Sequence, residues 1–425
     1  MFIIILLIVL GINIAWYLLS DKWLRTDLEK FPKARRYTRI ALSIWIGIIF
    51  IPLLSASLGL GNPLESGPWA WISILYLWIG TILFWMIGLA VVGIPIWGVE
   101  QLLIYFRNRE AKGTHDEKEH DKKEHNASKQ EDESVDSPRL NRRQLVKLGL
   151  VATPPLLVSG GTVAAVIGKR NLNVRTIDLP VRNLPQNLEG FTITQLSDTH
   201  IGMLTGRERV ENIVETANSF NSNITVVTGD ILDNNFDYMP DLVDTMSQLK
   251  AEQGVYLCIG NHDKMYDPSN WVRTVRKSGL NLLLDESTII DTGGTPIKLL
   301  GIDFSNQLSQ DIRNIRTADE DTRTPENSMK ILLAHHPHAF DAAVQADIPT
   351  TLAGHTHGGQ IVLKIGEKYE LFNPGNYLFR YVDGIYRKED GSSLFVHRGS
   401  GDWFPLRTGV PAEVVQLRLV TENIG

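Results

Sequence analysis

Four long runs without a single charged residue constrain this chain more than any other feature. Residues 2–20, 40–60 and 69–99 contain no Asp, Glu, Lys or Arg, and residues 148–168 form a fourth such run. About 20 helical residues span the hydrocarbon core of a bilayer. The first two runs are therefore each about one span long, and the third exceeds an untilted span. Pro95 is expected to end that third span, with Ile96 to Phe106 lying at the interface. A soluble helical bundle needs a charged face toward water, so runs of this kind argue against one.

The charges between the runs set an expected orientation. The loop 21–39 carries Lys22, Arg25, Lys30, Lys33, Arg35, Arg36 and Arg39, whereas Gly61 to Pro68 holds only Glu65. Positive charge marks the cytoplasmic side. This puts the N-terminus outside, the 21–39 loop inside, the 61–68 loop outside and residue 107 onward inside. Residues 107–144 are too charged to bury a core and read as a disordered cytoplasmic linker. His115, His120 and His125 sit five apart in it, on different faces of any helix, and read as linker residues or weak metal scavengers.

The basic cluster Asn141-Arg142-Arg143-Gln144-Leu145-Val146-Lys147 precedes the fourth run, and Lys169-Arg170 follows it. The pattern suits a fourth span crossing from inside to outside. It also resembles a twin-arginine export signal at Arg142, Arg143 and Lys147, departing from it at Asn141 and Leu145. That export machinery carries folded proteins and suits a domain that loads metal before crossing. The residue pattern leaves cleavage near Ala164-Ala165 open. The expected division is a membrane domain over 1–106, the linker over 107–144, a fourth transmembrane helix over 145–170, and a globular domain over 171–425.

The globular part alternates strand and helix signals. Val174 to Leu179 and Phe191 to Leu196 read as strands. Val210, Ile213, Val214, Ala217 and Phe220 follow the helical period, and Asp241 to Leu249 is helical as well. Ile224–Val227, Val255–Ile259, Met329–Leu333, Thr350–Ala353, Leu394–His397 and Glu413–Val420 read as further strands. After Gly279 the strands 281–284, 287–291 and 296–302 follow with little helix between them. The fold class is a layered α/β arrangement with mixed sheets. The net charge of −6 brings no concentrated basic face, so no nucleic-acid partner is expected. Cys258 is the single cysteine, which excludes an intramolecular disulfide.

Five of these strands end in polar residues able to ligate a metal: Asp198-Thr199-His200, Gly229-Asp230, Gly260-Asn261-His262-Asp263, Ala334-His335-His336 and Gly354-His355-Thr356-His357. Ligands of open α/β sheets collect beyond the carboxyl ends of strands. Carboxylates mixed with imidazoles suit Mn, Fe or Zn better than Ca. Asp198, His200, Asp230, Asn261, His335, His355 and His357 are too many for one ion and suit two. Two ions roughly 3.5–4 Å apart clamp a phosphate and activate a water between them. His262 neighbours a ligand yet cannot easily reach the same ion, which frees it to act as an acid near neutral pH. Each motif alone also has a plain reading as a cap, a turn or a surface imidazole.

In this order the motifs resemble the signature of calcineurin-like metallophosphoesterases, over about residues 173–420. Gly354 to Gln360, with Arg398-Gly399-Ser400-Gly401 and Pro405-Leu406-Arg407, resembles the bacterial membrane-associated YkuE/YaeI branch. The tail departs from it, with Pro411-Ala412-Glu413 where Pro-Pro-Glu is usual. The resemblance implies two mixed β-sheets flanked by helices. It implies that Asp198, His200 and His357 hold one divalent ion, that Asn261, His335 and His355 hold another, and that Asp230 bridges them. His262 becomes the catalytic donor near the leaving oxygen, and Asp263 is expected to orient its ring. His336 reads as a supporting histidine and Asp233 as a cap of the next segment. The expected activity is hydrolysis of a phosphodiester, pyrophosphate or phospholipid by a hydroxide between the metals. The substrate is expected to be lipid-linked or held near the membrane, with the catalytic domain outside the cytoplasmic membrane. A phosphomonoesterase or nuclease of the same fold, and a sensor binding a phosphorylated ligand, are the rival readings.

Overall fold

The computed structural model describes residues 2–27, 32–57, 69–113, 142–168, 171–233, 235–366 and 369–421. The chain folds as two compact units, Met1–Thr162 and Val163–Gly425. The three histidines at 115, 120 and 125, and the expected linker from residue 114 to 141, lie outside the described residues.

The first unit is helical. Helices α1 (Phe2–Asp27), α2 (Pro32–Ser57) and α3 (Trp69–Gly113) carry the first three apolar runs, and α4 (Arg142–Gly168) carries the fourth. Trp78 is the hub of the packing. Its ring meets Trp16 and Trp45 edge to face at 5.0 and 5.2 Å. Its indole N–H donates to Asn13 Oδ1 at 2.8 Å, which satisfies the one polar atom such a ring must bury. Ile49, Ile82, Val151 and Val158 complete this buried cluster. Ser73–Val91 and Val146–Val166 are long and apolar enough to cross a membrane by length and composition.

Pro95 does not end the third helix. The helix runs on for 45 residues to Gly113, with Pro95 inside it and the first part of the expected linker included. A proline costs one backbone hydrogen bond and a clash one turn back, which a long apolar helix absorbs as a local bend. Helix α4 likewise continues through Pro154 and Pro155. Just before them, the Thr153 hydroxyl donates to the Gly149 carbonyl at 2.7 Å.

The second unit is built on two six-stranded sheets. The first has the order β1-β14-β2-β3-β4-β5, with β1 (Leu172–Val181), β2 (Thr192–Leu196), β3 (Ile224–Thr228), β4 (Val255–Cys258), β5 (Asn281–Leu282) and β14 (Ala412–Thr421). The second has the order β12-β13-β9-β8-β7-β6, with β6 (Glu286–Ile290), β7 (Ile297–Gly301), β8 (Met329–Leu333), β9 (Thr350–Ala353), β12 (Gly384–Arg387) and β13 (Ser393–Val396). Both are mixed. Strands β2 to β5 run parallel while β14 opposes β2, and β7, β8, β9 and β13 run parallel between antiparallel edges.

Side-chain alternation along each strand makes the layers. Ile224 and Val226 of the first sheet, with Leu299, Ile331 and Leu333 of the second, meet in one core between the sheets. The adjacent Val227 faces α5 (Arg207–Ser219), α6 (Met239–Met246) and α7 (Pro268–Lys277). Leu300 and Leu332 face α8 (Leu308–Asp321) and α9 (Ala339–Gln345). The result is helix, sheet, sheet, helix. Because β2, β3 and β4 of one sheet and β8 and β9 of the other carry the polar motifs, two sets of carboxyl ends open onto one site.

The strands β5, β6 and β7 follow one another with no helix between them, as expected, and helix α8 fills the stretch between β7 and β8 that the sequence pattern leaves unassigned. Its buried face mixes Ile315 and Ala318 with Asp311 and Asn314, so no clean apolar stripe announces it. Its last turn is closed from outside the helix. The fully buried Lys298 ammonium donates to the carbonyl of Thr322 at 2.6 Å and the hydroxyl of Thr324 at 2.7 Å, and also to the carbonyl of Asp319. A cation at that end of a helix is electrostatically favoured.

Candidate metal centre

The loops after the five strands are stitched together through their backbones. The Asp198 amide donates to the Gly229 carbonyl, the His200 amide to that of Asp230, and the Gly354 amide to that of His335, each at 3.0 Å. Five of the seven expected ligands have left-handed backbones: Asp198 (φ 51°), His200 (43°), Asp230 (50°), His355 (74°) and His357 (50°). Non-glycine residues adopt that region at a cost of about 1–3 kcal/mol each, and such strain persists where the surroundings over-determine it. The loops also need room. A Cβ at Gly354 would strike Ser197 Oγ and the Asp198 carboxylate, and one at Gly260 would strike the Asp230 carboxylate and amide.

The ligands converge in two clusters. Asp198, His200 and His357 form one, and Asp230, His335 and His355 the other. In the first, His200 Nε2 and His357 Nε2 face each other at 3.1 Å, and His357 Nε2 lies 3.4 Å from Asp198 Oδ1. In the second, His355 Nδ1 and His335 Nε2 are 3.1 Å apart, and His335 Nε2 is 3.1 Å from Asp230 Oδ2. That same Asp230 oxygen is 3.7 Å from His200 Nε2, so this carboxylate stands between the clusters. Asn261 lines the same cleft, and its buried Oδ1 has no hydrogen-bond partner.

Protonation follows from this crowding. Burial, reinforced by the neighbouring His335, pushes His355 down to about 3, and burial with nearby cationic groups holds His357 well below its ordinary value. Both rings are therefore neutral, the state a metal ligand requires. His335 is the exception. Burial disfavours its charge, yet the Asp230 and Asp198 carboxylates raise it to about 9. Asp230, also opposed by burial, is held well below the carboxylate range by His335, His200 and His262. Without a cation between them, His335 and Asp230 form a buried ion pair.

Asp263 does not orient the His262 ring. Its Oδ1 accepts the backbone N–H groups of Ile231 at 3.0 Å and Leu232 at 2.9 Å, and its Oδ2 accepts that of Gly260 at 2.9 Å. It clamps the loop behind Asp230. The ring partner of His262 is Asp233, whose Oδ1 lies 3.2 Å from His262 Nδ1 and 3.7 Å from His200 Nδ1. Asp233 is thus no cap. Burial pushes it up, but hydrogen bonds to the two histidines win and hold it at about 2. The Asp233 hydrogen bond also keeps His262 above its ordinary value against its own burial. The preference of aspartate for caps and turns hid this role in the sequence.

Arg407 is the second residue whose role the sequence leaves open. Its buried guanidinium lies 3.0 Å from His357 Nδ1 and donates to Asp402 Oδ1 at 2.6 Å and to the carbonyls of Gly401 at 2.8 Å and Arg398 at 3.0 Å. It fixes the His357 ring from behind. His336 stays outside both clusters. Its Nδ1 accepts the His338 amide at 3.2 Å, and its ring centroid lies 4.5 Å from that of His355. The Nε2 of His338 lies 2.7 Å from the buried Asp311 carboxylate.

These residues fit two divalent cations. The donors are carboxylate, amide oxygen and imidazole. Imidazole nitrogens face one another across two clusters joined by a carboxylate, and a buried amide oxygen is left without a partner. A buried polar atom without a hydrogen bond calls for a ligand, and Asn261 Oδ1 belongs to a residue that lines the cleft beside Asp230 and His355. That cleft is about 460 Å³. Its polar lining comes from His200, Asp230, Asn261 and His262, and its apolar lining from Ile361, Leu378, Phe379, Trp403 and Phe404.

The chain is similar to known metallophosphoesterases. Residues 191–371 match the family described as calcineurin-like phosphoesterase. A transmembrane protein with metallophosphoesterase domain from Bos taurus is 30% identical over 286 residues, covering 64% of this chain and 63% of that protein. Its namesake from Danio rerio is 30% identical over 291 residues, covering 65% and 63%. The uncharacterized metallophosphoesterase YkuE of Bacillus subtilis is 26% identical over 295 residues, covering 67% of this chain and 99% of YkuE. The chain spans just under two thirds of the length of the two vertebrate proteins, at 63% each.

Proposed function

The chain carries a calcineurin-like metallophosphoesterase domain, and on that footing we propose that it is a membrane-anchored, metal-dependent phosphoesterase acting on phosphodiesters in preference to monoesters. The observation that supports it best is the pair of clusters joined by Asp230, with the partnerless Asn261 Oδ1 beside them. Asp198, His200 and His357 would hold one ion, Asn261, His335 and His355 the other, and Asp230 both. Mn, Fe or Zn in this site supplies Lewis acidity, which withdraws charge from phosphate oxygens and makes water a nucleophile near neutral pH.

The chain's own residues do the rest. His262 lines the cleft and keeps its proton with the help of Asp233, so it can pass that proton to the leaving oxygen. Asp263 holds the Asp230 loop through three backbone N–H groups. Arg407 holds His357. The apolar lining excludes water from part of the cleft and suits an ester with a hydrophobic leaving group.

The anchor is supported by the apolar helices and by the names of the vertebrate relatives. We read the chain as multi-pass, with the catalytic unit outside the cytoplasmic membrane and the basic cluster at Arg142-Arg143 as its entry to twin-arginine export. The full chain purified in detergent with Mn is expected to hydrolyse bis-p-nitrophenyl phosphate faster than p-nitrophenyl phosphate, and chelation should abolish both. Activity that survives chelation sinks the metal mechanism. A reporter fused after residue 425 that is active only in the cytoplasm sinks the orientation.

A further inference from the structure

Beside the cleft lies an apolar face with no covering element among the described residues. Strands β10 (Leu363–Ile365) and β11 (Tyr369–Phe372) pair antiparallel, and every residue of both strands is exposed. Leu363 pairs with Phe372 and Ile365 with Tyr369, while Lys364 pairs with Glu370. Directly opposed residues share a face of a hairpin, and alternate residues along a strand share it too. The register shifts between Leu363 and Lys364, which leaves Leu371 as an extra residue and returns Phe372 to the side of Tyr369, so one face is Leu363, Ile365, Tyr369 and Phe372. Of the Lys364–Glu370 pair, Glu370 Oε1 accepts from the Asn376 side chain at 2.8 Å.

The apolar face continues to the site. The rings of Phe372 and Tyr377 are 6.1 Å apart, and Leu378 beside Tyr377 lines the metal cleft with Phe379. Leu363, Ile365, Tyr369, Phe372, Tyr377 and Leu378 are between 44% and 80% exposed. A contiguous patch of this kind marks a protein or membrane contact. An isolated two-stranded hairpin is marginal in water, so burying one face of it stabilises the hairpin as well as the contact.

Two features of the chain select the occupant. The window Val146–Val166 of α4 is long and apolar enough to cross a bilayer. Only residues 169–171 separate the end of that helix, Gly168, from the start of β1, Leu172. Four residue steps reach no more than about 14 Å. The first strand of the catalytic unit is thereby held within that distance of the helix end. For a unit tethered so closely, lipid is an apolar surface that the chain's own anchor supplies.

We propose that this face docks on the bilayer entered by the chain's own helices, and that the cleft receives the phosphate of a lipid embedded there, its acyl part following Leu378 and Tyr377 back to the membrane. The substrate half of this proposal rests on the phosphoesterase reading above; the docking half does not. In the reaction water adds across one ester linkage. Its oxygen bonds to phosphorus, the P–O bond to the leaving alcohol breaks, one proton goes to that alcohol through His262, and the other is released to solvent.

The test uses the full chain in nanodiscs of phosphatidylethanolamine and phosphatidylglycerol. Its single native cysteine, Cys258, is buried, so spin labels report on introduced sites. Labels at Ile365→Cys and at the exposed Lys277→Cys are compared for collision with oxygen, which partitions into lipid, and with a water-soluble nickel chelate. Docking predicts an oxygen-to-nickel ratio at 365 about tenfold above that at 277. Equal ratios overturn it, and so does low accessibility to both reagents at 365, the sign of a covering protein chain. In the second arm, Ile365→Asp with Tyr369→Asp should lower the ratio of hydrolysis of a long-chain phospholipid to that of bis-p-nitrophenyl phosphate by about tenfold or more. An unchanged ratio overturns the lipid substrate. Wild-type protein that hydrolyses neither compound with Mn overturns the phosphoesterase reading, while the spin-label arm still decides docking by itself.

Discussion

The two halves of the candidate metal centre use the same kinds of ligand but are enclosed in different ways. Asp198, His200 and His357 are all buried. They are closed from behind by a loop from near the C-terminus: the Ser400 amide donates to the Ser197 carbonyl at 2.8 Å and the Gly401 amide to that of Asp198 at 2.9 Å, and the Arg407 guanidinium lies 3.0 Å from His357 Nδ1. The other half keeps His335 buried but leaves Asn261 and His355 partly open to the cleft. One half is therefore fixed by long-range contacts, and the other is the more open to the cleft. On the proposed reading, an ion in the first half would be the less exchangeable one and an ion in the second half the more accessible from the cleft.

Asp230 belongs to both halves, so its loss should cost more than any other. Asp230→Asn is expected to lower kcat/KM by about 10³-fold or more with Mn present, measured on a chromogenic diester. A variant within about tenfold of wild type would mean the halves act independently. Next comes His262, which is a ligand in neither half. His262→Asn should cost about 10²-fold in kcat while both ions stay bound, as read by elemental analysis. If an ion is lost with it, His262 belongs to the ligand shell and the two-half division is wrong.

Arg407 tests the enclosed half by itself. Arg407→Met keeps the bulk of the side chain but removes the guanidinium packed beside His357 and leaves several carbonyls unpaired. It should weaken the tighter ion by about 10- to 100-fold, as loss of residues behind metal ligands commonly does. The more exchangeable ion should be little changed, and metal titration with two resolved sites separates the outcomes.

A weaker signal is expected in the pH dependence of the metal-free protein. His335 is raised to about 9 by Asp230 and Asp198 against its burial. A histidine with a raised folded-state value stabilises the fold fully below its unfolded value and loses that contribution as pH rises through about 9. Asp233 is held at about 2, so its contribution is full above the ordinary carboxylate value and is lost as pH falls toward about 2. The Tm of metal-free protein should therefore fall at both ends by a few degrees. His335→Gln should flatten only the alkaline side and Asp233→Asn only the acid side. If either variant flattens both, the two halves are coupled more tightly than their separation implies.

Much of the fold and the site was legible in the chain. Strands ending near Asp198, Asp230, Asn261, His335 and His355 stand where their apolar runs end, because a buried strand needs a continuous apolar stretch and the polar residue marks where it leaves the core. Helix α5 was legible for the same reason, through the period of Val210, Ile213, Val214 and Ala217. Helix α8 was not, since Asp311 and Asn314 occupy its buried face. The continuation of α3 past Pro95 was not either, because a proline forbids one hydrogen bond and not a helix.

The donor set, its position at strand ends and the apolar runs before it were written in the order of residues alone. Residue type and local period carry those facts, and both are local. Folding in three dimensions added that Asp233 rather than Asp263 faces His262, that Arg407 stands behind His357, and that an apolar hairpin borders the cleft. Each of these depends on which loop lies beside which after two sheets close on one another. Asp263 and Asp233 are both aspartates near the same motifs, and nothing local distinguishes a carboxylate facing three backbone amides from one facing two imidazoles.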